Sequence, residues 1–367
     1  MASVVGITGM PRSASAETLE RIAPAVPAET AETAEARQVA ERLLTRWAPV
    51  YVQHVADGDH GADRPTRIDF DGDWDATNNW DHQEEHGTAL PPAAYGAAIL
   101  TESHAYLTYT LYYPRDWSRL ACLPLVCHDN DLETITVVVE RDGGDGRLAE
   151  IRTKAHHSIS ETTGAQVARA ADDRPLLWVE PEGHGISVCT AGDPACTPQD
   201  GRLVYVPGAA PSAPPDEARG QQVTYELLSL RETLWARRHV QNDRLWTRGE
   251  RGPLYYAGRM AGRIGDQMGA AMASSRFMGG VTPPWALAGR GGARGDWFLD
   301  PAGTSDYVYN PFLDDLRAEC TGPLCLPQPP EPTTWTKNFS SGAIWLACSL
   351  AVGALHGRRR RSATAAR

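Results

Sequence analysis

Apolar positions recur along the chain at two spacings, and these spacings divide it into segments. Over residues 35–46, Val39, Leu43 and Leu44 share one helical face, which predicts a helix. Trp47-Ala48-Pro49 ends it, because a proline disfavours helical backbone in the residue before it. Residues 50–55 predict a strand, and residues 57–63 a polar loop. Residues 101–113 alternate aromatic and β-branched side chains, the pattern of a buried strand. Residues 134–140, with Ile135, Val137, Val138 and Val139, predict another. Asp142-Gly143-Gly144-Asp145-Gly146 reads as a turn, followed by strands at 148–153, 176–180 and 201–206 and a Pro- and Ala-rich loop at 207–215.

Residues 221–239 change character. Leu227, Leu230, Leu234 and Trp235 fall on one helical face and predict an amphipathic helix. Gly and Arg dominate from 248 to 295, consistent with helix and long loops, and residues 297–309 return to strand-and-turn chemistry. Short strands joined by turns predict a mainly β fold. The expectation is a jelly-roll-like β-sandwich with an N-terminal helix, a helical insertion at about 218–280 and a C-terminal helix. Residues 1–36 read as a leader and linker, and 37–325 as the single sandwich domain. Residues 326–337 read as a Pro-rich spacer, and 338–367 as a membrane anchor or sorting segment.

The anchor rests on charge. Asn338 to Gly357 holds no Asp, Glu, Lys or Arg, and Arg358–Arg361 follows directly. As a helix, 20 residues span about 30 Å, enough for a bilayer. The arginines would stay cytoplasmic, leaving the body outside and the chain tied to the membrane through 338–361. A buried terminal helix with a solvated basic tail is the alternative. Ala14-Ser15-Ala16 resembles a signal-peptidase site, but no basic segment precedes the short apolar stretch at 4–10, so an N-terminal signal is not convincing.

Seven cysteines fit export. Six form close pairs, Cys122 with Cys127, Cys189 with Cys196 and Cys320 with Cys325, and Cys348 is left over inside the anchor. None is C-x-x-C, which argues against a zinc ribbon. Close pairs across loops suit disulfides in an oxidising compartment, and buried thiols are the alternative. Over the 367 residues, 35 Lys and Arg against 46 Asp and Glu give a formal net charge of -11. Nucleic acid is therefore a poor partner, since phosphate recognition needs a basic footprint.

Part of the acidity is concentrated. His128, Asp129, Asn130, Asp131 and Glu133 lie at the mouth of a strand. In an extended chain Asp131 and Glu133 point to the same face, where two carboxylates repel unless a cation or proton sits between them. Asp116, at the end of the preceding strand, joins them if the two strands pair. Oxygen-rich ligation with one imidazole suits Ca²⁺, Mg²⁺ or Mn²⁺. A solvated acidic loop is the alternative reading. A second cluster, Asp69, Asp71, Asp73 and Asp75, resembles a D-x-D-x-D calcium loop. Ala76 stands where an EF-hand needs Gly and no Glu follows at the twelfth position, which leaves a different calcium loop or an Asx-rich turn, the turn favoured. Trp74 and Trp80 are expected in the core.

The stretch AYLTYTLYYPRDW followed by HDNDLE and an apolar strand resembles the necrosis-inducing (NPP1) proteins and the related Vps62-like proteins. That family has an aromatic strand, then a G-H-R-H-D-W-E motif, on a jelly-roll-like sandwich with a divalent cation at its top. On this resemblance Asp116 falls on the upstream ligand, His128 on the first His, Asp131 on the Asp and Glu133 on the Glu. Asn130 and Leu132 depart from the motif, so the ligand set is retained and its middle is not. This weighs against plant cytolysis more than against metal binding. The Vps62-like pattern also has two later histidines, which look like His156 or His157 and His184. RWAPVYVQHV and GDWFLDPAG resemble its opening and closing strands, so the likeness covers about residues 45–310.

His184 lies between Gly183 and Gly185, glycines that permit tight turning. No G-x-S-x-G, H-E-x-x-H or Walker loop is present. The expected protein is an exported surface sandwich binding a divalent cation at its rim and recognising a glycan or lipid head group. One alternative is a metal-dependent hydrolase with His184 or His157 as base. The other is a structural surface module.

Overall fold

The computed structural model describes residues 31–56, 61–76, 78–118, 128–155, 158–237, 284–286, 297–304 and 306–319. Helix α1 spans Ala31–Arg46. It begins inside the stretch read as linker, because the Ala- and Glu-rich composition of 31–36 is also strongly helix-forming. Leu43 and Trp47 enter the core, and the Tyr109 hydroxyl donates to Leu44 O at 2.7 Å. Arg174 closes the helix by donating to Thr45 O and Ala48 O, at the carbonyl-rich end where a cation is favoured.

The strands are β1 (Val50–His54), β2 (Ala93–Thr101), β3 (His104–Asp116), β4 (His128–Glu140), β5 (Arg147–Ala155) and β6 (Ser158–Thr163). They continue with β7 (Leu176–Val179), β8 (Ile186–Val188), β9 (Arg202–Gly208), β10 (Gln222–Ser229) and β11 (Tyr307–Tyr309). Helix α2 (Asn79–His86) precedes β2, and α3 (Pro311–Glu319) follows β11. One continuous sheet runs β6-β5-β4-β3-β2-β10-β9-β1-β7-β8, with β11 on the far end of β2. β8 comes round against β5, so the sheet nearly closes. The fold is thus the expected mainly β sandwich with an N-terminal helix, formed by one sheet folded over its own inner face.

Period-2 alternation sorts the side chains. Leu107, Tyr109, Leu111 and Tyr113 of β3 and Ile135, Val137 and Val139 of β4 fill the inner core with Tyr51, Leu177, Val179, Leu203, Tyr205, Val223 and Tyr225. Full burial of such side chains stabilises by about 1.5–3 kcal/mol each. The opposite faces of β2 and β3, through Tyr95, Ala97, Ile99 and Tyr112, lie under a second cluster of Ile68, Leu234, Trp235, Trp285, Phe298 and Phe312.

The expected helix at 221–239 is replaced by β10 and a short π-helical turn at Arg231–Trp235. Val223 and Tyr225 alternate into the inner core, and pairing with both β9 and β2 outweighs the helical spacing of the leucines. The rest of that insertion, 238–280, lies outside the described residues. β2 and α2 were both unread in the sequence, and four of the nine residues of β2 are alanine.

Cys189 and Cys196 form the expected disulfide across the turn between β8 and β9. Cys122, Cys127, Cys320, Cys325 and Cys348 lie outside the described residues. Closing so short a loop contributes about 2 kcal/mol by chain entropy. The double variant Cys189→Ala, Cys196→Ala should lose about that much in urea unfolding. A difference below about 0.5 kcal/mol would show the bridge to be thermodynamically idle.

Candidate functional site

β3 and β4 carry the motif residues in a fixed antiparallel register. Leu111 lies opposite Glu133, Tyr113 opposite Asp131, and Asp116 opposite His128. The expected pairing of Asp116 with the acidic segment is therefore present in the backbone. Asp131 and Glu133 continue the core-facing positions of β4, one step past the last apolar pair, so the inner face ends in carboxylates at one mouth of the sandwich. Asp116 and Glu133 are half-buried, and the His128 side chain lies outside the described residues.

His184 meets Asp131 from the other side. It sits in the turn between β7 and β8, with a positive φ of 54° that its flanking glycines accommodate. The ring is fully buried, and its Nδ1 lies 2.9 Å from Asp131 Oδ2 and its Nε2 3.3 Å from Asp63 Oδ1. It stacks on Tyr113, with ring centroids 3.7 Å apart and planes 4° apart. The Tyr113 hydroxyl donates to Gln53 Oε1 at 2.6 Å. Burial alone would lower the imidazole's affinity for a proton. The hydrogen bonds to Asp131 and Asp63 and their charges outweigh it and raise the pKa to about 9. The ring is thus an imidazolium between two carboxylates at neutral pH. Burial likewise pushes the Tyr113 hydroxyl well above its ordinary range, helped by Tyr205, Asp131 and Asp63.

Asp63 was hidden in the sequence, read as the end of a polar loop. It is fully buried, and its Oδ2 accepts from Ala56 N at 2.6 Å. Its Oδ1 accepts from Trp117 Nε1 at 2.9 Å and from Glu182 N at 2.8 Å, besides facing His184. No local signal marks it, because its partners come from positions 56, 117, 182 and 184. Asp129, inside the motif stretch, is pushed well up by burial, against the pull of Arg115. Arg115 stacks over Trp80 of α2, and Trp80 is buried as expected.

Asn130, which departs from the family motif, has a structural task. With φ at 59° it accepts from the Tyr112 hydroxyl and donates to Ala76 O, tying the 62–79 segment to the sheet. In that segment Asp69 pairs with Arg67, and Asp71 with His82. Asp73 N–H donates to Asp71, and Asp75 N–H to Asp73. Successive aspartates thus act as Asx turns. Among the described residues, no three His, Cys, Asp or Glu side chains share a point from which all could ligate one ion. His156 and His157 lie outside the described residues, as do residues 1–30 and the proposed anchor at 338–361. Among the described residues no helix is long and apolar enough to cross a membrane.

No family model matches the chain, and no curated protein does. Solved structures do. Necrosis and Ethylene inducing Protein 2, from the causal agent of cocoa's witches broom disease, matches at 17% identity, covering 40% of this chain and 67% of that one with a TM-score of 0.27. The chain described as a toxin fold for microbial attack and plant defense matches at 14% identity over 52% of this chain and 75% of its own, TM-score 0.30. NLPPya in complex with glucosamine matches at 14% identity over 45% and 70%, TM-score 0.28. The structural neighbours are necrosis-inducing proteins. All of these matches are of low identity and overlap the chain only in part. The chain spans about half, 46%, of the non-toxic HaNLP3 protein, which also matches.

Proposed function

We propose that the mouth of the sandwich binds a divalent cation through Asp116, His128, Asp131 and Glu133, and that the bound ion recognises a polar head group of a glycan or lipid. The observation that carries this reading is the arrangement of Asp131. Its Oδ2 is held by His184, so an ion would be met by Oδ1, on the rim where Glu133 and the Asp116–His128 pair also lie. The donor chemistry fits. By donor type, three carboxylates and one imidazole form a hard, oxygen-rich set suited to Ca²⁺, Mg²⁺ or Mn²⁺, and an ion would have to draw the three carboxylates together, because their side chains do not converge on one point. A bound ion would supply positive charge to polarise and hold a ligand oxygen. The chain's residues supply the rest: His184 orients Asp131, and Tyr113 and Gln53 keep that imidazole in place.

Binding is favoured over hydrolysis because both ring nitrogens of His184 face carboxylates, which engages the atoms a general base would turn towards water. The same proposal puts the sandwich outside the cell. The Cys189–Cys196 bridge suits an oxidising compartment, and the 338–361 segment would anchor it.

The test is thermal unfolding with and without Ca²⁺, Mg²⁺ or Mn²⁺. Saturating ion should raise the melting temperature, as any ligand of the native state does. The double variant Asp131→Ala, Glu133→Ala should lose the shift. An unchanged metal response in that variant would sink the proposal. NLPPya was solved with glucosamine and with mannosamine, so amino sugars are the first ligands to screen once the ion is bound.

A further inference from the structure

Asp63 lies outside every motif, yet it touches the segments that carry the rim residues. Trp117 directly follows Asp116, and its indole N–H donates to Asp63 Oδ1 at 2.9 Å. The backbone N–H of Trp117 donates to Glu182 O, and Glu182 N–H donates back to Asp63 Oδ1 at 2.8 Å. Two residues on, His184 faces the same oxygen through Nε2 and Asp131 through Nδ1. The other oxygen of Asp63 holds Ala56 N–H. One buried carboxylate thus joins the end of β3, the β7–β8 turn and, through a single imidazole, β4.

Resting on the cation-site reading above, we propose that Asp63 is the positioning residue of that site: it fixes the segment after Asp116 and the His184 ring together, and so sets the distance between Asp116 and Asp131. A purely structural carboxylate could satisfy the same donors, but it would not need to join the two strands that present the ligands. Groups that orient metal ligands from behind typically change affinity by about 10- to 100-fold when altered.

The experiment measures Mn²⁺ affinity by calorimetry for the full chain, alongside urea stability in chelator. Asp63→Asn should weaken Mn²⁺ binding by about 10- to 100-fold. The double variant Cys189→Ala, Cys196→Ala, destabilised elsewhere, should keep wild-type affinity. That split separates positioning from general loss of stability. A folded Asp63→Asn protein with wild-type affinity overturns the proposal, and equal loss in the disulfide variant does too. If Asp63→Asn does not fold, Trp117→Phe removes one donor from the same oxygen. It should weaken Mn²⁺ severalfold, and no change there overturns the proposal. Wild-type protein that binds no Mn²⁺ at all is a different result, because it removes the cation reading itself.

Discussion

Asp131→Ala is expected to destabilise the metal-free protein by about 3 kcal/mol, towards the lower end of what breaking a buried ion pair costs. The reason is the charge left behind. His184 is fully buried and lies between Asp131 and Asp63. Removing Asp131 deletes the shorter of its two hydrogen bonds and half of its counter-charge. Asp63 remains, which keeps the loss from reaching the upper end of the range. The measurement is urea unfolding at pH 7 in chelator, wild type against variant. A loss below about 1 kcal/mol would show that the imidazole is not charged in the folded protein or that water replaces the carboxylate.

Alkaline pH should have an effect of similar size in the wild type. The His184 pKa is about 9 in the folded state against 6.5 for an unperturbed imidazole. A group whose folded pKa is raised stabilises fully below its unfolded value, and that contribution is lost as pH rises through the folded one. Stability from this group is therefore complete below about pH 6.5 and falls away between there and about pH 9, by about 3 kcal/mol in all. Unfolding midpoints from pH 6 to 10 should decline across that window. His184→Gln should flatten this part of the profile. In Asp131→Ala the decline should move to lower pH, since the larger hydrogen-bonded contribution to the raised pKa is gone. A wild-type profile that is flat from pH 6.5 to 9 would refute the ion-pair description.

Much of the sandwich was legible because its strands obey period-2 burial. Tyr109, Leu111 and Tyr113 face inward, and the aromatic alternation that predicted β3 comes from that packing. The shared face of Asp131 and Glu133 was legible for the same reason, since both continue the core-facing positions of β4. β10 was misread because Leu227, Leu230 and Leu234 satisfy helical spacing as well. Only the presence of β9 and β2 on either side decides in favour of the strand, and a local pattern does not contain its neighbours. β2 escaped notice because Ala-Ala-Tyr-Gly-Ala-Ala has weak strand propensity and is stabilised by its position in the middle of the sheet. Asp63 was illegible for a further reason. A buried carboxylate and a loop carboxylate look alike in sequence, and the difference lies in donors from Trp117, Glu182 and His184 that reach it only in the folded state.

The position of β10 also bears on how the chain assembles. Residue 226 pairs with residue 93 on one side and residue 208 on the other, and among the described residues the runs β6-to-β2 and β9-to-β8 are joined in the sheet only through this strand. While the chain is being made, the rows of backbone groups on β2 and β9 that later face β10 stay open until residues 222–229 emerge. Open edges of this kind recruit other strands, and distant pairings of this kind form slowly. The Ala-rich β2 offers little apolar side chain to a wrong partner during that wait. The weak strand propensity that hid it from sequence reading thus reduces the hazard of its late completion.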